Sequence, residues 1–402
     1  MSARRALRLF YAFIALRWLR LTGAVWILYL LALGWPLWQV GIAEAAFHVV
    51  SFLTAVPTGY FADRLGRRRS LLVGLMIGAL SPPLEYLLAP HGVALGSLAV
   101  GFSALSWSFI GGADQALLHD LSRRLPEAGG FPRLFGRMEA IALLASAVAA
   151  PLGGLLATRA GWLWPFLGQA VCTALAILPA WALPREVSGQ AVEEPRGGRS
   201  ERSPLRGALR AVRSSPGLTA AILFGAVLGI VATSNHLYAQ STLVLKGESV
   251  LLATAVIGLG SLLAALASAF AHRLKGGLRP SALALALLVA AVGPARGLLG
   301  PLAYVGADAA SGAADVLYYA ALNAQAPEAL RATIASAPDA AFSLGMIALF
   351  PLEGWAMGRY GLVPAYAWLG AGLAVAALLW PPWRGSGPAR TAGGTVRRAN
   401  PQ

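Results

Sequence analysis

Charged residues are scarce in this sequence, and acids are scarcer than bases. Of its 402 residues, 12% are charged and 57% are hydrophobic, and the mean hydropathy is +0.65. A typical soluble chain carries about 25% charged residues, so a water-soluble fold of this length could not cover its surface with so few charged side chains. The 32 basic and 17 acidic residues leave a formal net charge of +15. Such a balance suits an anionic membrane surface or a nucleic acid, and the apolar runs between the basic clusters favour the membrane.

Cysteine and lysine are nearly missing as well. Cys172 is the only cysteine, which excludes an internal disulfide and a thiolate metal cluster. Neither of the two lysines follows a glycine, so the chain lacks the phosphate-binding G-K-[ST] loop of an ATP-driven pump. No two of the five histidines lie three or four residues apart and no G-x-S-x-G elbow occurs, which disfavours a zinc site and a hydrolase. We therefore expect no enzyme activity, no cofactor and no bound metal.

The sequence does have many apolar segments long enough to cross a bilayer, whose core takes about 20 residues of helix. We predict twelve membrane helices in two sets of six. The first set covers 10–33, 41–61, 70–89, 93–119, 134–157 and 161–182. The second set covers 217–243, 249–271, 279–297, 300–323, 333–357 and 361–382.

A polar segment separates the two sets. We expect an N-terminal six-helix bundle over residues 1–183 and a C-terminal six-helix bundle over 217–383. Between them, 184–216 is rich in Arg, Pro, Gly, Ser and Glu, which predicts a cytoplasmic basic linker. Residues 384–402 have a similar composition and form a predicted cytoplasmic tail. The expected fold class is an all-α membrane protein with two bundles of six helices.

The basic residues predict the orientation, because cytoplasmic loops collect Lys and Arg. With the N-terminus inside, 26 of the 32 basic residues fall in inner segments and two, Arg17 and Arg20, lie within the first helix. Only four fall in outer segments, namely Arg159, Lys246, Arg296 and Arg359. We therefore predict a multi-pass protein of the inner (cytoplasmic) membrane with both termini in the cytoplasm. Orientation already accounts for the arginines and no aromatic residues are interleaved with them, so we expect no nucleic-acid partner.

The second half of the chain repeats features of the first. The pattern Pro-Leu-x-Gly occurs at 151–154 and again at 351–354, and Asp114 follows an alanine as Asp315 does. Each copy contains an even number of predicted helices, so both copies face the same way. Parallel halves of this kind form secondary transporters in which one bundle rocks against the other around a central substrate site. The duplication therefore predicts transport by alternating access, without chemistry on the substrate.

The loop between the second and third predicted helices carries the most specific motif. Residues 57–70 read PTGYFADRLGRRRS, with one acid, two glycines and four arginines, of which three are consecutive. Anchoring by positive charge accounts for the arginines but not for the acid or the spacing. The stretch resembles the signature G-x-x-x-D-x-x-G-R-[RK] of the major facilitator superfamily, which is matched by Gly59, Asp63, Gly66, Arg67 and Arg68.

The resemblance implies twelve helices in two halves and a conformational latch at this loop. Asp63 would face the N-terminus of a helix in the other half, where the helix dipole is positive. Arg67 would pair with an acid at the inner end of the fourth helix, for which Asp120 is the candidate. Such a latch would keep the inner side closed while the outer side is open.

The resemblance also implies that the first, fourth, seventh and tenth helices line a central cavity. Ionisable residues inside membrane helices are costly and are therefore functional candidates. Asp114 lies among small residues that leave room for a cavity, and we predict it as a proton site. The candidates for contact with substrate or proton are Trp26, Tyr29, Asp114, Asn235, His236, Asp315 and Tyr318. For each of them, structural packing is the alternative role.

Other ionisable residues in the predicted helices have less specific positions. Glu44 and His48 share one helix face but lie near an outer end, and Glu85 could point to the outer interface. Arg17 and Arg20 fit snorkelling to the membrane surface as well as they fit anion binding. The acids near predicted helix ends, to which we assign no role, are Glu139, Asp308 and Asp339.

The fifth predicted helix suggests the direction of transport. Its segment Ala150–Gly154 (APLGG) resembles the G-P-x-x-G-G pattern of exporters in the superfamily, with one residue missing and alanine in place of the first glycine. The R-x-x-Q-G pattern of proton/drug antiporters is not matched, because Trp107 occupies the position of its basic residue. We expect a monomeric secondary transporter, an antiporter that exports a small apolar or cationic molecule in exchange for protons. Uptake of a metabolite or sugar, and a non-transporting role as sensor or scaffold, are the alternatives.

Overall fold

The protein is described by a computed structural model over residues 2–125, 130–184, 215–274, 277–325 and 337–379. Within those ranges all regular structure is helical. The helices of the N-terminal half are α1 (Ala3–Trp18), α2 (Trp26–Ala32), α3 (Leu37–Leu65), α4 (Arg67–Leu88), α5 (Val93–Ile110), α6 (Ala113–Arg124), α7 (Gly130–Arg159) and α8 (Leu163–Ala182). Those of the C-terminal half are α9 (Pro216–Leu245), α10 (Val250–Phe270), α11 (Leu278–Val292), α12 (Leu299–Gln325), α13 (Ala337–Tyr360) and α14 (Leu362–Leu379). The predicted tail and almost all of the predicted linker lie outside the described residues.

Length and composition allow nine of the described helical segments to cross a membrane. One of the nine is the continuous path from Val93 to Arg124, which contains α5 and α6. The α1–α2 pair, α11 and α12 correspond in position to the three other predicted helices, so the described helices are consistent with a count of twelve. The prediction of an all-α membrane fold is confirmed.

Two of the predicted helices are each divided in two. The prediction of one continuous helix over 10–33 is wrong, because α1 ends at Trp18 and α2 begins only at Trp26. The predicted helix over 93–119 is interrupted before α6 by Gly112, whose φ of +78° favours glycine. Hydrophobicity shows neither break, because an unwound stretch enclosed by protein can be as apolar as a helix.

The helix contacts of one half have counterparts in the other. Helix α4 packs against α5 and α8, as α11 packs against α12 and α14, and α3 contacts α5 as α10 contacts α12. The apolar core is divided in a similar way, with clusters around Phe10 and around Ile27 in the N-terminal half and a cluster around Leu285 and Tyr366 that lies mainly in the C-terminal half. The halves meet through two equivalent pairs, α3 with α13 and α7 with α10. An internal duplication with parallel copies produces this arrangement.

Glycines allow the two halves to approach closely. A Cβ on Gly41 of α3 would lie 2.5 Å from Pro351 Cα in α13. In the equivalent contact, a Cβ on Gly258 of α10 would lie 2.6 Å from the Ala147 carbonyl oxygen in α7. Small residues permit such backbone contacts between membrane helices.

The repeated Pro-Leu-x-Gly pattern takes part in both contacts. Gly154 of α7 faces Thr254 of α10, and Gly354 of α13 faces Leu37 of α3, with no room for a Cβ in either case. Helices α3 and α10 begin at the face of the bundle opposite the N-terminus, and α7 and α13 end there. The halves are therefore in close contact at that face.

Candidate functional site

A cavity of about 610 Å³ lies between the two halves. Polar and ionisable side chains of both halves line it, although such groups are costly inside a membrane protein. The N-terminal half contributes Arg17, Arg20, Glu85 and Trp107, and the C-terminal half contributes His236 and Asp308. Among the described residues, no group of three or more His, Cys, Asp or Glu side chains could hold a metal ion. The lining suits an organic molecule with polar or charged groups.

The unwound stretch between α1 and α2 borders this cavity. The amide and hydroxyl of Thr22 both donate to Gln169 Oε1 of α8, at 3.0 and 2.5 Å. Gln240 Nε2 of α9 donates to the Gly23 carbonyl oxygen at 2.9 Å, and this bond links the two halves. Side chains of other helices thus form hydrogen bonds with backbone groups that lack a helical partner in the unwound stretch. Such unwound stretches occur at the substrate sites of transporters.

Two arginines of the N-terminal half are held against one indole ring. The guanidinium carbon of Arg17 lies 4.8 Å from the centre of the Trp107 ring, and that of Arg20 lies 4.9 Å from it. Arg17 also forms an ion pair with Asp114 of α6, with 3.5 Å between Nη1 and Oδ2, and both side chains are 10% exposed. Asp114 is therefore paired with a cation that cannot lose its charge.

The C-terminal half holds a cluster of three titratable side chains on α9 and α12. His236 Nδ1 lies 3.3 Å from Asp308 Oδ2, and the Tyr304 hydroxyl donates to the same oxygen at 2.9 Å. Tyr304 Oη also lies 3.0 Å from His236 Nδ1. The side chain of Asp308 is 7% exposed and that of His236 is 37% exposed. The imidazole is therefore the more accessible member of the cluster.

A glycine of a third helix completes the surroundings of this cluster. A Cβ on Gly260 of α10 would lie 2.7 Å from Asp308 Oδ2 and 2.9 Å from a ring carbon of Tyr304. Helix α10 can therefore cover the carboxylate closely only because this position lacks a side chain. The close cover keeps Asp308 away from bulk water.

Two further acids line the wall of the N-terminal half. Glu44 Oε1 lies 3.5 Å from His48 Nε2, one turn along α3. The His48 ring packs edge-on against Phe342 of α13, with 5.2 Å between ring centres, so it also contacts the other half. Glu85 of α4 lines the cavity, whereas its sequence position also allowed it to point to the outer interface.

The seven residues predicted to contact substrate or proton have different surroundings in the structure. Trp26 and His236 line the cavity. Tyr29 and Tyr318 are 4% and 2% exposed and donate hydrogen bonds to backbone carbonyl groups of their own half. Tyr29 also stacks on the Tyr86 ring, with 5.2 Å between centres. These two tyrosines contribute to packing within each half.

The other three predicted residues have different surroundings. Asn235 is buried in α9, and its Oδ1 has no hydrogen-bond partner in the part of the chain that the structure describes. Asp315 is exposed on α12. Asp114 lies in the ion pair with Arg17. Contact of these residues with substrate or proton stays a prediction.

At the motif loop, one of the two contacts of the predicted latch is present. Arg67 Nη1 contacts Asp120 Oδ2 and donates to the Ala116 carbonyl oxygen at 2.9 Å. Gly66, between α3 and α4, has a φ of +98°, which favours glycine. Asp63 is exposed, and its side chain forms no ion pair or hydrogen bond with any residue in the described ranges. Capping of a helix in the other half by Asp63 therefore stays a prediction.

Asp308 is the main residue that sequence analysis misses. It receives no role there because it lies near the start of the helix predicted at 300–323. In the structure α12 begins at Leu299, and at 1.5 Å per residue Asp308 lies about 14 Å along a 27-residue helix. The available signal is the four-residue spacing to Tyr304, which places both side chains on one face of the helix.

Comparisons with known proteins agree with this architecture. A sequence profile of the Major Facilitator Superfamily matches residues 9–337. The enterobactin exporter EntS of Citrobacter koseri is 28% identical over 319 residues, which cover 73% of this chain and 70% of that relative.

Solved structures show the same fold. A crystal structure of a mutant of the nucleoside transporter NupG superposes with a TM-score of 0.77 at 14% identity, covering 93% of this chain and 98% of that one. The crystal structure of the human organic anion transporter MFSD10 superposes with a TM-score of 0.65 at 16% identity, covering 95% and 100% of the two chains. At these identities the similarity concerns the fold alone.

Proposed function

This chain belongs to the Major Facilitator Superfamily, and we propose that it is a secondary transporter that exports a small molecule in exchange for protons. It is a membrane transporter of a small-molecule substrate, and its surroundings are a lipid bilayer. The proposal includes a monomer in the inner membrane with cytoplasmic termini, an orientation supported by the arginine distribution. The observation that carries the proposal is the cluster of His236, Asp308 and Tyr304 on the wall of a cavity between two halves.

His236 and Asp308 are suited to carry the coupling proton. An imidazole ordinarily changes its charge between about pH 5 and 8. The charged groups that act on His236 are Asp308 beside it and Arg20 from the opposite half, and the Tyr304 hydroxyl lies at hydrogen-bond distance. Gain or loss of a proton changes the charge of the cavity wall by one unit. A change of this kind can couple proton movement to substrate binding.

Asp114, the proton site predicted from sequence, is less suited to this role. Its carboxylate is paired with Arg17, and a guanidinium remains protonated at all physiological pH values. A proton that binds to Asp114 must therefore displace an ion pair with a permanent cation. The C-terminal cluster has no such competitor, because its own cation is an imidazole.

Alternating access is supported by the position of the contacts between the halves. These contacts, including Gly41 with Pro351, lie at the face opposite the N-terminus. Near the other face, a Cβ on Gly59 would meet no atom within 4 Å, and Asp63 has no partner among the described residues. With the N-terminus in the cytoplasm, this conformation corresponds to the inward-open state. The latch would close on the inside when the bundles rock to the opposite state.

Export is supported by a relative and by a segment of α7. The 28% identical EntS is named as an exporter, and the chain carries the exporter-like segment Ala150–Gly154. Gly153 of this segment packs against the Leu21 carbonyl group of the unwound stretch, and Gly154 packs against Thr254 of the other half. The segment therefore contacts both the unwound stretch at the border of the cavity and the interface between the two halves.

Everted membrane vesicles test the proposed exchange. Compounds are first chosen by growth of overexpressing and deletion cells on a panel of toxins and nutrients. Vesicles with an acid lumen, monitored by quenching of an acridine dye, are then given each compound. Addition of a transported compound should dissipate the pH gradient with the wild type but not with Asp308→Asn.

Other outcomes of this test favour the alternatives. Accumulation of the compound in right-side-out vesicles, driven by an inward proton gradient, would indicate uptake. A growth effect without saturable flux in either kind of vesicle would indicate a sensor or scaffold. Gradient-driven exchange that persists in Asp308→Asn would contradict the assigned proton site.

A further inference from the structure

Arg20 is a cation of the cavity wall without a carboxylate partner. Its guanidinium packs on the Trp107 ring, but it forms no ion pair or hydrogen bond with a residue of the described ranges. Arg17, against the same ring, is paired with Asp114. A guanidinium has five donors and no acceptor, and an unpaired charge inside a protein is costly. The guanidinium of Arg20 therefore favours the binding of an anion, which no carboxylate of the described residues supplies at ion-pair distance.

The acids that line the cavity do not complete this site. Asp308 is bonded within its own cluster, and Glu44 lies 3.5 Å from His48. Glu85 and Glu44 both act on Arg20 electrostatically, but neither lies within the 4.0 Å of an ion pair with it. The donors of Arg20 are therefore available to a ligand that enters the cavity.

The backbone around Arg20 is fixed before any ligand binds. Thr22 is bonded to Gln169 of the same half, and Gly23 is bonded to Gln240 of the other half. These bonds hold the unwound stretch from which Arg20 projects. A charge held in place in this way loses little freedom when it binds a ligand, which increases affinity.

Aromatic surface lies next to the charge. Trp107 packs edge-on against Phe47 and Trp18, with 6.5 and 5.6 Å between ring centres, and Trp26 also lines the cavity. Aromatic rings of a ligand pack favourably against such side chains. A guanidinium binds a carboxylate through two parallel hydrogen bonds, and such charge-assisted bonds are strong where water is excluded.

We propose that Arg20 and Trp107 form the binding site for an anionic group of the transported molecule, and that this molecule is an aromatic acid. The inference rests on the proposed function and names its substrate class. It replaces the apolar or cationic substrate predicted from sequence, because a cation at the Trp107 ring would be repelled by Arg20 and Arg17, which both pack against that ring.

Ligand binding by the purified full-length protein in lipid nanodiscs tests this site without requiring transport. The probes are salicylate, its uncharged match salicylamide, and the cation benzylamine, with quenching of tryptophan fluorescence as the measurement. The wild type should bind salicylate about tenfold more tightly than salicylamide, because a charge-assisted pair is lost with the amide. Arg20→Gln should abolish this preference, and Arg20→Lys should keep part of it. Arg159→Gln, at the exposed end of α7, is the matched control and should leave the preference unchanged.

Several results would overturn the inference. These are equal affinity for salicylate and salicylamide, preference for benzylamine, a salicylate preference that survives Arg20→Gln, and absence of salicylate binding at millimolar concentration. A wild type that binds salicylate through Arg20 but moves no compound in vesicles would instead contradict the proposed function. Such a result would leave the anion site intact.

Discussion

Each half of the molecule holds one cation–carboxylate pair between its first and its fourth helical pass. In the N-terminal half, Arg17 of α1 pairs with Asp114 of α6. In the C-terminal half, His236 of α9 pairs with Asp308 of α12. A guanidinium keeps its charge at every physiological pH, whereas an imidazole can release its proton. The two pairs therefore differ in the one property on which proton coupling depends.

The two halves share the position of a charge pair but not its chemistry. The sequence repeat aligns Asp114 with Asp315, yet the pair of the C-terminal half uses Asp308. Seven residues, or about two helical turns, separate these two aspartates on α12. The charges of the N-terminal pair do not change with pH in the physiological range, so this pair can stabilise the fold and the surroundings of Arg20. The C-terminal pair can respond to pH.

The largest expected difference between the two pairs concerns stability. Asp114→Asn leaves the charge of Arg17 buried without its partner, so we expect a loss of about 3 kcal/mol in the free energy of unfolding. Asp308→Asn should cost less than half as much, because the imidazole of His236 can become neutral. Unfolding in nanodiscs at pH 7.5 measures both values. Equal losses would mean that the two pairs are chemically equivalent.

The next effect concerns coupling. Asp308→Asn should lower gradient-driven flux about tenfold or more while substrate exchange without a gradient continues, because exchange needs no proton movement. His236→Gln should have the same effect and should also flatten the dependence of flux on pH between about 5 and 8. The exposed His91 provides the control variant His91→Gln. Loss of coupling in Asp114→Asn and not in Asp308→Asn would place the proton site in the N-terminal half.

The repeated glycines allow a smaller test of the symmetry between the halves. Gly154→Val and Gly354→Val should each reduce flux about fivefold, because overpacking of either interface costs about 1 kcal/mol or more and separates the halves. Gly136→Val and Gly358→Val on the same two helices are the controls, because a Cβ there meets no atom within 4 Å. A strong effect in only one copy would show that one interface closes this face alone.

The smallest effect is expected at the motif loop, where the first copy has Asp63 and the second has His272. Asp63→Asn should reduce flux about twofold, because the interaction of an exposed acid with a helix N-terminus is worth about 0.3–1 kcal/mol. Insertion and unfolding should not change, since Asp63 has no partner among the described residues of this conformation. Flux equal to that of the wild type would exclude the latch role of this acid.

Much of the fold could be predicted because a bilayer imposes a simple rule on helix length. The helices predicted at 217–243 and 249–271 correspond to α9 and α10 within three residues at each end. The breaks in the first and fourth passes could not be predicted. They depend on partners such as Gln169 and Gln240, which are distant in sequence and compensate for the lost backbone hydrogen bonds.

The candidate site could be predicted only where residues share a short motif. The resemblance of the loop to the superfamily signature implies a partner for Arg67 on the fourth helix, and in the structure Arg67 contacts Asp120. The polar run on α9 points to His236 but not to its partner Asp308. The face of a membrane helix that lines a cavity depends on how the helix packs against its neighbours. This packing involves residues that are distant in sequence, so the local sequence does not reveal it.

The all-helical membrane fold and the internal repeats could be predicted from the sequence alone, because hydrophobicity, charge and repeats are properties of the chain that do not depend on tertiary contacts. The tertiary structure alone decided that Asp114 pairs with a permanent cation, that Asp308 pairs with a titratable side chain, and that Arg20 has no carboxylate of the described residues at ion-pair distance. The physical reason is that an ion pair requires two groups within a few ångströms. That distance is set by glycines such as Gly260 and by an unwound helix, which determine how closely the helices approach and where their side chains point.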